Sequence, residues 1–250
     1  MLLTLVPAMG VTVSAAETWT TVTTYDELKA ALSTQNPPDN IKLGSDIDTG
    51  TLSSGMGILE SLEVRGKKQL DLNGHTLRMY SAKTAMSNMF MINHGSLTVL
   101  DSSSGQKGTI LGSTYNDSCY LINVHTYGQF TLNSGTLKVD AGSPRNDTRW
   151  KRVIHCYAGG TVIINGGTFQ GPVRLDAGGN DWNQNEPRVK INGGTFEKKV
   201  MLNGPGDGTK PLTEINNGIF LDYVQAWVAA TAFSHPKWSS TAVSSTRNFG

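Results

Sequence analysis

The stretch VIINGGTF, residues 162–169, returns as VKINGGTF at residues 189–196. Three further segments share the pattern of alternating apolar residues followed by a turn rich in Asn and Gly: LDLNGHTL (70–77), FTLNSGTL (130–137) and TEINNGIF (213–220). From Asn133 to Asn216 the aligned asparagines are separated by 32, 27 and 24 residues. Self-similarity at about 20 to 50 residues is typical of stacked repeats, in which each unit buries its apolar side only against its neighbours.

Each repeat contains three short strands. Apolar residues alternate before the turn, as Val162 and Ile164 do, and a period of two indicates strands. A second strand follows the turn at Thr168-Phe169, and a third precedes it at residues 154–156. Three strands per repeat, joined by loops of unequal length, predict an all-β chain wound as a parallel β-helix.

The Asn-Gly turns have a physical role in such a fold. Each coil turns sharply between two sheets, and glycine tolerates the positive φ that such a turn needs. The side-chain amide of each Asn can bond to the Asn of the next coil, which satisfies polar groups that would otherwise be costly. We therefore expect four asparagines to form a structural ladder: Asn133, Asn165, Asn192 and Asn216.

Composition and charge narrow the classes of function. Charged residues make up 16% of the chain, and the formal net charge is +1, so bulk electrostatics indicates neither a nucleic-acid partner nor an anionic membrane. Residues 1–16, MLLTLVPAMGVTVSAA, resemble a signal peptide truncated at its front, with an apolar run and a small-residue cleavage site. No other apolar stretch is long enough to span a membrane. These features predict a secreted or cell-surface protein.

The repeats resemble a known superfamily. NGGTF-type repeats after an apolar leader are similar to the right-handed parallel β-helix proteins of the pectate-lyase-like superfamily, and to Asn-Gly-Gly-Thr-rich modules of exported bacterial surface proteins. The stretch WTTVTTYDELKAALSTQNPPDNIKLGSDI (19–47) is similar to the N-terminal cap of that superfamily, a strand followed by an amphipathic helix from Tyr25 to Leu32. A helix at this end would cover the exposed sheet edge of the first coil.

The expected organisation has five parts: a truncated signal peptide (1–16), the cap and first coil (17–48), the β-helix (49–220), a C-terminal capping segment (221–235) and a Ser/Thr-rich tail or linker (236–250). Within the capping segment, Tyr223, Ala226, Trp227 and Ala230 stand at helical spacing. This segment is therefore interpreted as a capping helix or an irregular plug.

Chemistry on a β-helix must use outward side chains, because the inward positions are apolar. Stacking the third strands in register, with Ile122, Ile154 and Val173 inward, sets two outward columns side by side. Together they form what we call the polar strip, with Asn123, His155, Arg174 and Met201 in one column and His125, Tyr157, Asp176 and Asn203 in the other.

Two long loops flank the polar strip and add aromatic residues. Residues 140–152 include Trp150, and residues 176–188 include Trp182. Indole rings can stack on sugar C–H groups while His, Arg and Asp bond hydroxyls. The predicted glycan-binding residues are Asn123, His125, Tyr157, Trp150, Trp182 and Asn203. Outward polar residues also serve solubility alone, so a spacer without a ligand remains a further interpretation.

The expected function is a structural stalk or a glycan-contacting, adhesin-like module of a larger exported protein, monomeric and bound to a polysaccharide or a host or cell-wall glycan. The alternative is a polysaccharide lyase or glycoside hydrolase in which His155, Arg174 and Asp176 would be catalytic. Two-carboxylate hydrolysis needs a facing pair of acids, and only Asp176 lies on the strip. No metal-ligand spacing stands out and no cofactor is expected, although the resemblance implies Ca²⁺ if the chain is a lyase.

Overall fold

The structure is a computed structural model, and it describes residues 17–50, 60–81, 87–114, 118–125, 127–140, 150–157, 159–176, 188–203, 213–227, 231–233 and 244–245. The predicted signal peptide, residues 1–16, lies outside the described residues, as does Trp182. The same holds for nearly all of the predicted tail at 236–250. The division into domains therefore stays a prediction at both ends of the chain.

The described residues form one helix, α1 (Tyr25–Ser33), and 24 short strands. The strands of the first half are β1 (Thr20–Val22), β2 (Asn40–Leu43), β3 (Ile47–Asp48), β4 (Leu62–Val64), β5 (Lys67–Asp71), β6 (Thr76–Ser81), β7 (Ser87–Ile92), β8 (Ser96–Leu100), β9 (Thr109–Thr114), β10 (Ser118–Val124), β11 (Gln129–Leu132) and β12 (Thr136–Val139). Those of the second half are β13 (Trp150–Cys156), β14 (Thr161–Ile164), β15 (Thr168–Gln170), β16 (Val173–Asp176), β17 (Val189–Ile191), β18 (Thr195–Phe196), β19 (Val200–Asn203), β20 (Thr213–Ile215), β21 (Ile219–Phe220), β22 (Val224–Trp227), β23 (Thr231–Phe233) and β24 (Ser244–Ser245).

The strands build three parallel sheets wound as a solenoid. Sheet A has the order β1-β2-β5-β8-β11-β14-β17-β20-β23, sheet B the order β21-β18-β15-β12-β9-β6-β3, and sheet C the order β24-β22-β19-β16-β13-β10-β7-β4. From β4 to β23 the chain visits sheets C, A and B in turn, and strands pair with the equivalent strands of neighbouring coils. The predicted all-β parallel β-helix is confirmed.

The Asn-Gly turns lie between sheets A and B, stacked coil upon coil. The side-chain amide nitrogen of each later Asn donates to the amide oxygen of the previous one at 2.9 Å, from Asn165 to Asn133, Asn192 to Asn165 and Asn216 to Asn192. The predicted ladder of four asparagines is therefore confirmed. Asp101 lies earlier in the same corner, and its carboxylate accepts hydrogen bonds from the backbone nitrogens of Gly74 and Gly108.

The core consists of apolar side chains stacked at equivalent positions of successive coils. Phe169, Phe196 and Phe220 follow the turns in successive coils, and their rings stack at 4.5 and 4.7 Å with interplanar angles of 3° and 6°. Aliphatic residues fill the other inward positions of all three sheets and are almost wholly buried. Each inward side chain therefore contacts its equivalents in the coils above and below. The burial of one coil's apolar residues thus depends on the neighbouring coils.

The N-terminal helix α1 covers the first coil, as expected. Thr24 caps it: its hydroxyl accepts from the backbone nitrogen of Glu27, and the Glu27 carboxylate accepts from the backbone nitrogens of Thr23 and Thr24. This capping box satisfies donors that the helix cannot pair internally. Leu28, together with Ala31 and Leu32, is buried on the face toward the solenoid, so the helix closes the apolar end.

A buried lysine ties the cap to the first coils. The Lys68 side chain is fully buried, and its amino nitrogen donates to the backbone oxygens of Asn36 at 2.9 Å and Pro38 at 2.8 Å. Asp39 lies 3.7 Å away. Since a buried amino group without acceptors is very costly, this position holds the segment after α1 in place.

The helical interpretation of the C-terminal segment is wrong for the described residues. Val224–Trp227 forms strand β22, which pairs in parallel with β19 through Val200 and Val224, and Thr231–Phe233 forms β23 in sheet A. The free edge of β19 offers backbone partners along its length, and that tertiary pairing overrides a weak helical spacing of four residues.

The two cysteines, Cys119 and Cys156, lie on adjacent strands of sheet C. Cys119 pairs with Lys151 and Val124 with Cys156 across β10 and β13, so the two cysteines are far apart along the strand direction. Cys156 is a free, buried thiol, and its burial raises its pKa to about 12. It therefore behaves as a small apolar side chain of the core.

We expect Ile164→Asp to unfold several coils together. Ile164 is fully buried in β14 between Leu132 and Ile191, and an unpaired carboxylate there should lower the free energy of unfolding by about 3–5 kcal/mol. Thermal melts followed by far-ultraviolet circular dichroism measure this loss. Ile163→Asp is the matched control, because Ile163 faces outward on the same strand. Equal melting temperatures for the two variants would contradict the assigned register.

The Asn ladder predicts a difference between middle and end positions. Asn165 both donates to Asn133 and accepts from Asn192, whereas Asn133 makes one of these bonds. Each such hydrogen bond is worth about 0.5–1.5 kcal/mol, so Asn165→Ala should destabilise the protein about twice as much as Asn133→Ala. Urea denaturation of the two variants makes the comparison. A larger effect at Asn133 would show that the amides do not act as a ladder.

Candidate functional site

Sheet C places the polar strip as the repeat register predicts. Asn123 pairs with His155, His155 with Arg174, and Arg174 with Met201 across β10, β13, β16 and β19. Asp176 pairs with Asn203 in the second column. Parallel strands set equivalent residues about 4.8 Å apart, so the strip crosses four successive coils on one face.

A bend in sheet C brings a further aromatic residue to this face. Leu121 and Ile122 are consecutive and both fully buried, which breaks the period of two along β10. The register likewise passes directly from Tyr120 paired with Arg152 to Ile122 paired with Ile154. Tyr120 and Arg152 consequently lie on the outer side, next to the polar strip.

His155 lies at the centre of an aromatic cluster. Its ring centroid is 4.3 Å from that of Tyr120 and 4.2 Å from that of Tyr157, the second contact being edge-on. Tyr157 in turn stacks obliquely on His125 at 4.5 Å. The Tyr120 hydroxyl accepts a hydrogen bond from Arg152 at 3.1 Å. Four rings from two adjacent coils thus form a continuous aromatic cluster.

A charged pair borders this cluster. The Arg174 Nε atom lies 3.0 and 2.9 Å from the two carboxylate oxygens of Asp176, and the His155 Nε2 atom lies 3.7 Å from the nearer one. Arg174 keeps 32% of its side-chain surface exposed. The pair therefore offers guanidinium donors and carboxylate acceptors to solvent beside the Tyr157 ring.

Burial dominates the protonation equilibria of the site. Desolvation lowers the pKa of His155; the neighbouring Asp176 opposes that shift, and the positive charges of Arg152 and Arg174 add to it. Desolvation also lowers the pKa of His125 and raises the pKa of Tyr157. Near neutral pH the cluster consequently presents neutral imidazoles and phenols, which donate and accept hydrogen bonds without net charge.

Two of the predicted surface residues are outward in register yet buried. Asn123 is 1% exposed and His155 is 3% exposed, so neither offers a surface to a large ligand as the sequence suggests. The described residues supply no hydrogen-bond partner for His155 Nδ1 or Asn123 Oδ1. Buried polar atoms of this kind call for a partner such as water or a ligand group.

Several predicted site residues cannot be placed by their side chains. Trp182 lies outside the described residues, and only the backbones of Trp150 and Asn203 are described. Their assignment to glycan binding stays a prediction. Among the described residues, no group of three His, Cys, Asp or Glu side chains is arranged to hold a metal ion.

Residues that sequence analysis missed include Tyr120 and the pair His94 and Tyr127. The rings of His94 and Tyr127 lie 5.1 Å apart at the corner between sheets C and A. A signal was present: His94-Gly95, Tyr127-Gly128 and Gly159-Gly160 repeat at intervals of 33 and 32 residues. None of these three pairs contains Asn, so an alignment on the Asn-Gly turns does not reveal this second corner.

These features define a class: a parallel β-solenoid with a capping helix and a polar, aromatic outer strip. Residues 19–139, just under half of the chain, match the model of a family described as "Putative pectate lyase-like adhesive domain". The predicted resemblance to pectate-lyase-like β-helix proteins is thereby confirmed, and an adhesive domain of this kind fits a protein of the cell surface or the extracellular space. A search of curated proteins gave no match, and neither did a search of solved structures.

No helix in the described part of the chain combines the length and the apolar character needed to cross a membrane.

The buried imidazoles predict acid sensitivity. Above a pH of about 6.5 His155 is neutral in both folded and unfolded chains, so its contribution to stability is complete there. Between that value and its lowered folded pKa, the unfolded chain binds a proton that the folded chain does not. The free energy of unfolding therefore decreases as the pH is lowered. His125 acts in the same sense. Denaturation midpoints between about pH 8 and pH 5 should therefore decrease, and less steeply in His155→Gln. An unchanged slope in that variant would contradict the assignment.

Proposed function

We propose that this chain is an extracellular adhesive module that binds carbohydrate through the exposed part of the polar strip. The observation that carries the proposal is the combination of Tyr157, Arg174 and Asp176 on adjacent coils. An aromatic ring thus lies beside a paired guanidinium and carboxylate on one face of a rigid sheet. The match to an adhesive domain family supports the same conclusion.

The chemistry of the three residues suits sugar hydroxyls. A pyranose ring presents C–H groups on its faces and hydroxyls at its rim, which match an aromatic ring and a charged pair respectively. Because Arg174 and Asp176 already bond each other, both are held in position before a ligand arrives. Preorganised groups lose little conformational entropy on binding.

The rigidity of the fold also supports adhesion. Six of the eight strip residues lie on strands whose register is set by two neighbouring coils, and His125 and Tyr157 directly follow such strands, so the surface does not need to rearrange. A solenoid suits a module in a longer surface protein, since it holds its binding face at a fixed distance and orientation. We infer that it acts as a monomer toward a polysaccharide, either a host glycan or a cell-wall glycan.

Binding is favoured over catalysis by the burial of His155, the one imidazole near the Asp176 carboxylate in the described part of the chain. A general base must reach the proton it abstracts, whereas His155 is enclosed by Tyr120 and Tyr157. Within the eight residues of the polar strip, Asp176 alone carries a carboxylate, and it is committed to Arg174. The strip therefore lacks the second carboxyl group that hydrolysis by two facing acids requires.

A second candidate function is a polysaccharide lyase or glycoside hydrolase. The observation in its favour is the 3.7 Å distance between His155 Nε2 and Asp176. Burial lowers the pKa of His155, so its imidazole is neutral near pH 7 and can accept a proton. Turnover would appear as reducing ends or as the ultraviolet absorbance of an unsaturated uronide. Calcium enters only if this candidate holds, as the cation that a lyase would require.

We expect Arg174→Ala to weaken binding on an array of plant, bacterial cell-wall and host glycans. Loss of charged hydrogen bonds to hydroxyls should reduce affinity for the strongest glycan by about tenfold. Lys138→Ala is the matched control, because Lys138 is an exposed cation on sheet B and its loss should change affinity by less than about twofold.

Three outcomes separate the functions. Binding that is lost in Arg174→Ala, retained in Lys138→Ala and unaccompanied by product release supports the adhesive module. Product release that disappears in His155→Gln supports the enzyme. If the wild-type protein neither binds nor cleaves any glycan on the array, it is a spacer and the proposal is wrong.

A further inference from the structure

The corner between sheets C and A is built from the same two-residue unit in three successive coils. His94-Gly95, Tyr127-Gly128 and Gly159-Gly160 occupy equivalent places, because Ser96, Gln129 and Thr161 pair in register immediately afterward. The first residue of each unit has a left-handed backbone, with φ of 60° at His94, 61° at Tyr127 and 96° at Gly159.

The second residue of the unit is glycine for a steric reason. A Cβ atom at Gly95 would collide with the backbone oxygen of Val64, and one at Gly128 with that of Ile92. The first residue has a different constraint. A left-handed φ costs folding free energy for any residue with a Cβ atom; Tyr adopts it rarely, and His more often. Gly159 shows which residue this backbone favours.

His94 and Tyr127 therefore occupy positions whose backbone conformation favours glycine. Burial of their rings does not offset the free-energy cost of this conformation, because both side chains are exposed. Tyr127 is 54% exposed and His94 is exposed as well, with ring centroids 5.1 Å apart. Backbone strain of this kind accumulates at binding sites, where the position of a side chain matters more than stability.

A polar cavity of about 360 Å³ adjoins the His94 ring on the side of the first coils. Its lining includes Gln35, Glu63, Arg65, Met91, Asn93 and His94. The amides and the paired charges of Glu63 and Arg65, 2.9 Å apart, resemble the combination found at Arg174 and Asp176. Tyr127 follows His125 of the polar strip by two residues, so the pair His94 and Tyr127 lies between the strip and this second group of donors and acceptors.

We propose that His94 and Tyr127 form a second sugar-binding subsite and that the ligand is a linear oligosaccharide lying across the coils. This inference rests on the proposed carbohydrate binding and adds the direction and extent of the ligand. The chain of sugars runs from the pair Arg174 and Asp176, past Tyr157 and Tyr127, to the cavity beside His94.

The dimensions favour a chain over a single sugar. From His94 to Arg174 the path crosses three coil steps, or about 14 Å, which exceeds one pyranose ring. Aromatic side chains stand at each intermediate coil, at Tyr127 and at Tyr157 with its neighbour His125. Affinity should accordingly rise with ligand length until this path is filled.

Tyr127→Gly tests the inference, because it removes the ring and relieves the backbone at once. Calorimetric titration would use a series from monosaccharide to hexasaccharide, prepared from the strongest glycan on the array. The wild type should gain affinity along the series, by about tenfold overall. Tyr127→Gly should bind long and short ligands equally weakly, with a Tm equal to that of the wild type or up to about 4 °C higher. Tyr127→Phe keeps the ring and should retain the length dependence.

The outcomes separate this inference from the proposed function. If Tyr127→Gly retains the gain with length, or if its Tm falls by several degrees, the ring is structural and the second subsite is wrong, while binding at Arg174 stands. If the length dependence disappears at unchanged or raised Tm and Arg174→Ala still weakens the shortest ligands, both are supported. A wild type that binds no member of the series overturns both.

Discussion

The structure depends on the registry of one coil upon the next. Each strand finds its sheet hydrogen-bond partners and its equivalent apolar residues in adjacent coils, and three corners must recur at the same place for this to hold. The asparagine ladder from Asn133 to Asn216 and the stacked rings of Phe169, Phe196 and Phe220 act on both sides of one corner. Amides outside and phenyl rings inside thereby specify the same alignment, which reinforces the cooperativity expected of a repeat protein.

Registry also explains how the fold makes a surface. Identical alignment of Asn123, His155 and Arg174 means that residues far apart in sequence become neighbours at the spacing of strands. The loops vary in length without disturbing this alignment, as the unequal repeat intervals show. Chemistry can therefore change on the outside while the ladders inside remain the same, in keeping with the general separation of fold from function.

Sequence analysis identified the architecture and the columns of the strip because both follow from the period of two and from the spacing of the Asn-Gly turns. It failed where local geometry departs from those periods. The consecutive buried residues Leu121 and Ile122 redirect Tyr120 to the outer face, where it encloses His155. The apolar doublet that marks this bend recurs at Met89-Phe90, Leu121-Ile122 and Val153-Ile154. Strict alternation ignores it, so His155 was expected at the surface. Likewise, the spacing of Tyr223 and Trp227 favoured a helix, and the available edge of β19 made a strand instead.

The buried amino group of Lys68 raises the cost of opening the helix-capped end of the solenoid. A stack of coils under tension peels from whichever terminus costs less to open. At the helix-capped terminus, opening the segment that contains Asn36 and Pro38 would strip Lys68 of its acceptors inside an apolar core. A force applied at that end would therefore have to break both hydrogen bonds of a buried charge before the first coil could open.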